Sequence, residues 1–196
     1  MKGITMNWLL MLLAALSACS VNTPDYSNPV SHDLGPVAQP PAKRSTILLQ
    51  APVWLWDERI RYRLLYDDDT AIRYYNLDRW EAPLPALLER HFAGIGSNPV
   101  LLSIRLTQFE QQFQSAKDAR VVMQLSVSAF LAKDHRLLGK RTFSLSQNTV
   151  TPDAAGAIKG FIALVEKAKA DIQSWLSTLS DRQNAVLQVD IPLNTS

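Results

Sequence analysis

Few residues of this chain are spaced for catalysis. Cys19 is the single cysteine, so neither an intramolecular disulfide nor a cysteine-based zinc site can form. No two of His32, His91 and His135 have metal-ligand spacing. Asp67-Asp68-Asp69 offers carboxylates, but a calcium loop of the EF-hand type needs Gly at its sixth position and Glu at its twelfth. Those positions hold Ile72 and Asp78, so the three acids read as a hairpin turn. A G-x-S-x-G elbow and a glycine-rich phosphate loop are both absent from the sequence. The expectation is a protein that binds rather than catalyses, with no cofactor and no metal.

The residue types that remain suit contact with a partner. Trp54 and Trp56 lie two apart and share a face if the segment is extended, as core lid, interface anchor or lipid contact. Arg79-Trp80 has two readings: Trp80 packs in the core at the start of a helix, or it marks a docking edge with Arg79 paired to a carboxylate such as Glu110. Phe109-Glu110-Gln111-Gln112-Phe113 sets polar residues between two Phe in a strand, which marks either a bulge or an interface. Trp54, Trp56, Arg79, Trp80 and Glu110 are therefore the candidate partner or lipid contacts.

The elements that must position them follow from periodicity. The chain has 196 residues, 47% of them apolar, and a formal net charge of +2. That apolar fraction argues against disorder, and the charge gives no footprint for nucleic acid. Ile47 to Leu49 reads as a first strand, and Ile60 to Tyr66 alternates as a half-buried one, returning over Ala71 to Tyr75. Asp78 serves as a turn cap before a helix carrying Leu84, Leu87, Leu88 and Phe92, which Gly94 and Gly96 stop. Leu102 to Leu106 alternates, and the phase then shifts to Phe109 and Phe113. Val121 to Leu131 is the clearest alternating stretch, and Leu138 to Leu145 completes a meander. A long helix, capped by Thr151 with Pro152 at its first position, buries a stripe from Ile158 to Leu179; residues 181–196 form a frayed tail. The order predicts an α+β fold, a two-layer sandwich of mainly antiparallel sheet with two amphipathic helices on one face.

The N-terminus is organised differently. After Lys2, the apolar run Trp8 to Leu16 is too short to span a bilayer but has the size of a signal-peptide core. Leu16-Ser17-Ala18-Cys19 then resembles the lipobox of bacterial lipoproteins. This resemblance implies a signal peptide over 1–18, removed on processing, and a diacylglycerol thioether with amine acylation (palmitate) at Cys19. Several acyl chains anchor stably where one does not. Ser20, rather than Asp, after the Cys points to the periplasmic face of the outer membrane and not to the inner membrane. Residues 19–44 carry Pro24, Pro29, Pro36, Pro40 and Pro41 among polar residues and read as a flexible tether to a domain over 45–180.

The domain itself has a familiar succession. Ala51-Pro52-x-Trp54 is followed by Ile60-x-Tyr62-Arg63, Tyr74 or Tyr75, Arg79-Trp80-x-x-Pro83 and Leu87-Leu88. Phe109-Glu110-Gln111-x-Phe113, Arg141-x-Phe143, Ala155-Gly156 and Trp175-Leu176 complete it. This order, over residues 47–179, resembles the ABC-type transport auxiliary lipoproteins of the paraquat-inducible protein C type. The resemblance implies an outer-membrane lipoprotein in an MCE/ABC-type intermembrane lipid transport system. Its partners would be an MCE-domain periplasmic protein, the ABC permease/ATPase complex and phospholipid, with homo-oligomer formation left open. Two rivals stand beside it: an activator of a periplasmic cell-wall enzyme, and a monomeric periplasmic lipid carrier.

Overall fold

The computed structural model describes residues 28–37, 47–96 and 99–189. The signal segment over 1–18 and residues 19–27 and 38–44 of the tether lie outside the described residues. The strands are β1 (Val30–His32), β2 (Ile47–Gln50), β3 (Arg59–Leu64), β4 (Asp68–Trp80), β5 (Val100–Ser115), β6 (Asp118–Leu131) and β7 (Leu137–Asn148). The helices are α1 (Leu84–Phe92) and α2 (Ala154–Val189), and a 3-10 turn (Val53–Leu55) joins β2 to β3. Among the described residues the strands form one mixed, mostly antiparallel sheet that does not close. Its order is β1-β4-β3-β5-β6-β7.

β2 and β3 share one edge of β5. β2 pairs in parallel from Ile47 opposite Leu102 to Gln50 opposite Arg105. β3 pairs in parallel from Tyr62 opposite Gln111 to Leu64 opposite Phe113. Between these registers the edge of β5 faces the 3-10 turn instead of a strand. This break creates the concavity described below.

The alternation of β6 buries Val121, Met123, Leu125, Val127 and Ala129 in the core. On β5 the register shifts between Leu106 and Gln108, the bulge that the phase change in the sequence predicts. Leu102, Ile104 and Leu106 face the core before it and Phe109 after it, so the extra residue keeps the core face continuous. α2 packs on β6 and β7, and α1 touches β2 and α2. Phe109 stacks on Phe161 of α2 at 4.1 Å, and Trp80 meets both rings edge-on at 6.1 and 5.8 Å. Each such pair adds roughly 0.5–1.5 kcal/mol beyond area burial.

Close approach of α2 depends on two glycines. A Cβ at Gly156 would stand 2.0 Å from the Thr151 carbonyl oxygen, and one at Gly160 would stand 2.7 Å from Val121 Cγ2.

Several expectations are corrected. Part of the expected tether is sheet: β1 pairs in parallel with β4, opposite Asp78 to Trp80, and Leu34 is buried. Leu34 supplies the buried apolar contact, and β4 already stands ready to pair with β1. Asp78 is not a helix cap. It lies in β4, and its carboxylate pairs with His32 Nε2 at 2.8 Å. Asp153, not Thr151, caps α2: its Oδ1 accepts from Gly156 N–H at 2.8 Å and from the Thr151 hydroxyl at 2.7 Å. Both bonds hold the Asp153 carboxyl below the usual range. The tail expected from 181 is helical as far as Val189.

Candidate functional site

Phe109 and Glu110 are neighbours on β5, so their side chains point to opposite sheet faces. Phe109 meets α2; Glu110 points away from it. The same alternation on β3 sends Ile60 and Tyr62 one way and Arg61 and Arg63 the other, onto the Glu110 side. The bulge lets Gln108, Glu110 and Gln112 gather there. Arg63 Nε donates to both carboxylate oxygens of Glu110, at 2.9 and 3.0 Å. The side-chain amides of Gln108 and Gln112 donate to Oε1 at 3.2 and 3.0 Å. Gln112 Oε1 in turn accepts from Arg120. Glu110 is buried and well satisfied, as a charge in that setting must be.

Above this network lies an open groove of about 550 Å³. Arg61, Arg63, Thr107, Gln108, Glu110 and Gln124 give it polar walls. Trp54, Leu55, Ile72 and Tyr74 give it apolar ones. The 3-10 turn forms its rim. Leu55 is buried and anchors the turn, and Trp56 Nε1 donates to the Ala51 carbonyl at 3.2 Å. Trp54 is 60% exposed and Trp56 51% exposed, with Val53 beside them at 86%. The expectation of an extended segment is therefore replaced by a turn, yet both indoles stay on the surface. They form an apolar knob on a fixed support.

The other candidate residues separate. Trp80 is 2% exposed, so its ring belongs to the core and not to the surface. Arg79 does not reach Glu110. Its Nε donates to Ser31 Oγ at 3.4 Å, on the β1 side of the sheet. The carboxylate it was matched with is held by Arg63 and approached by Arg61 instead. These two arginines were missed as site residues, although their alternation with Ile60 and Tyr62 places them on one polar face. The signal was that a carboxylate inside a strand needs cations on the neighbouring strand.

Asp68 opens β4 and turns its carboxylate back on Thr70 and Ala71. Among the described residues no cluster of His, Cys, Asp or Glu could hold a metal ion. Likewise, among the described residues no helix is long and apolar enough to cross a membrane.

Known proteins share this fold. No protein-family model matches the chain, and no curated protein matches it. A solved structure from Xanthomonas campestris, described as a DUF330 protein, is similar with a TM-score of 0.62 and 16% identity. The match covers 81% of this chain and 98% of that one. The structure of an uncharacterized protein matches with a TM-score of 0.61 and 17% identity, covering 76% of this chain and 99% of the other. At these identities the likeness is one of fold.

Proposed function

We propose that the protein is a lipoprotein, anchored through Cys19 at the periplasmic face of the outer membrane. There it is an auxiliary component of an MCE/ABC-type intermembrane lipid transport system, acting by partner binding without catalysis. In this reading both helices form the second layer of a two-layer sandwich, which leaves the opposite sheet face free for contact. The observation that carries the binding role is the exposed apolar surface of Val53, Trp54 and Trp56 on a turn whose Trp54 and Leu55 line an open groove. The lipobox and the ordered resemblance over residues 47–179 supply the location and the partners.

Affinity capture of the full lipidated chain from detergent-solubilised membranes tests the reading. Recovery of an MCE-domain protein, lost when Trp54 and Trp56 are both changed to Ala, is the expected result. Recovery of a cell-wall synthase and no MCE protein contradicts it and favours the activator reading. A monomer that carries phospholipid and captures nothing favours the carrier. Cys19→Ala must abolish palmitate labelling and membrane attachment.

A further inference from the structure

We infer that the groove beside Arg61 binds an organic oxyanion of single negative charge, such as a phosphodiester, carried on an apolar body. The argument begins with a mismatch of donors. Arg63 and the amides of Gln108 and Gln112 already fill Glu110. Arg63 also donates to the carbonyl oxygens of Asp69 and Thr70. Arg61 has no such set. Its Nη2 stays 3.9 Å from Glu110 Oε2, beyond hydrogen-bond reach. Among the described residues its one hydrogen bond runs from Nη1 to the Trp54 carbonyl at 3.4 Å. Its Nε is buried and has no partner among the described residues, and the side chain is only 11% exposed.

A guanidinium carries five donors in a rigid fork, and leaving them unmet in a buried place is costly. Two guanidiniums against one carboxylate also leave the groove one positive charge in excess. Asp57, nearby, is taken by Arg59 at 2.7 Å and supplies no counter-charge. A monoanion balances the excess, and its oxygens match the guanidinium fork. Trp54, Leu55, Ile72 and Tyr74 line the same groove, so the molecule bearing the anion meets apolar and aromatic surface. Thr107, Gln108 and Gln124 add neutral polar groups at the far wall. This names a ligand class for the binding role above and rests on that reading only for a lipid headgroup as the natural source.

The test is calorimetry on the full lipidated chain in micelles of a phosphate-free maltoside detergent, with empty micelles subtracted. Diphenyl phosphate is the monoanionic probe with an apolar body, and inorganic phosphate is the bare anion. Diphenyl phosphate should bind, and Arg61→Gln should weaken it about tenfold or more. Arg73→Gln, an exposed ion-pair residue outside the groove, should leave binding unchanged. Inorganic phosphate should bind about tenfold more weakly or worse, because it forgoes the apolar wall. Equal affinity for the two probes overturns the apolar body and assigns the site to free phosphate. Absence of binding, or binding untouched by Arg61→Gln, overturns the site. Should Arg61→Gln fail to fold, Gln124→Glu decides: a carboxylate on the groove wall must weaken binding, and unchanged binding refutes the inference. Capture of the MCE-domain partner by the unsubstituted chain, read on the same preparation, separates this result from failure of the transport reading.

Discussion

The two faces of β5 bury their side chains by different means. On the face that meets α2, Phe109 stacks on Phe161 with Trp80 set against both, so aromatic packing fills that side. On the other face Glu110 is equally buried but is held by Arg63, Gln108 and Gln112, with Arg61 standing beyond hydrogen-bond reach. The first interior is closed and complete. The second is polar, open to a groove, and leaves donors over. Apolar packing fixes the strands, so the polar face can carry an imperfectly satisfied arginine without losing its shape. Under the proposed function, stability belongs to one side of the sheet and recognition to the other.

Substitutions separate the two sides. Trp80→Ala, in the aromatic stack, should cost about 3–5 kcal/mol in chemical denaturation. A loss below about 1 kcal/mol would mean that the helix-side core is not what fixes β4. Glu110→Gln should cost about 2–3 kcal/mol, below the figure for a sealed ion pair because the Arg63 side chain is 25% exposed. A neutral outcome would show that the ion network is not structural.

How much of this was legible in the sequence depends on the range of the interaction. The alternation of Val121 to Ala129 and the phase change after Leu106 gave the central hairpin and its bulge, because periodicity is local. The helix over Leu84 to Phe92 and the apolar stripe of α2 were equally visible. β1 was not, since three residues among prolines become a strand only when β4 lies ready beside them. The site was half visible. Glu110 stood out as a charge between Phe residues, but its partner was sought in Arg79. That residue lies one strand too far away, because β3 stands between β4 and β5. Parallel pairing of β3 with β5 brings Arg63 to Glu110, and no local pattern records that pairing.

A smaller effect concerns acid. His91 of α1 is 3% exposed, and neither ring nitrogen has a hydrogen-bond partner among the described residues. Burial holds its pKa below the ordinary 6.5; Lys169 and Arg90 add to this, and Glu166 and Asp33 oppose it. The unfolded chain therefore takes up this proton first. Its contribution to stability is full above about pH 6.5 and is lost as pH falls below that value. Urea unfolding from pH 7.5 to 5 should show the decline, and His91→Leu should flatten it. An unchanged slope would remove His91 from the account. The smallest change in stability belongs to the rim. Trp54→Ala should shift unfolding by no more than about 0.5 kcal/mol while reducing partner capture. A large loss of stability would make that indole part of the fold rather than of the recognition face.

The most direct test compares two exposed valines. Val53 opens the 3-10 turn that carries the groove-lining Trp54, and Val150 lies in the turn between β7 and α2, with exposures of 86% and 89%. A photo-crosslinking amino acid at each position of the lipidated full chain, activated in intact cells, reports what each surface touches. Our account predicts a crosslink to an MCE-domain protein from position 53 and none from position 150. A crosslink from position 150 alone, or equal yields from both, would contradict a recognition face centred on the groove.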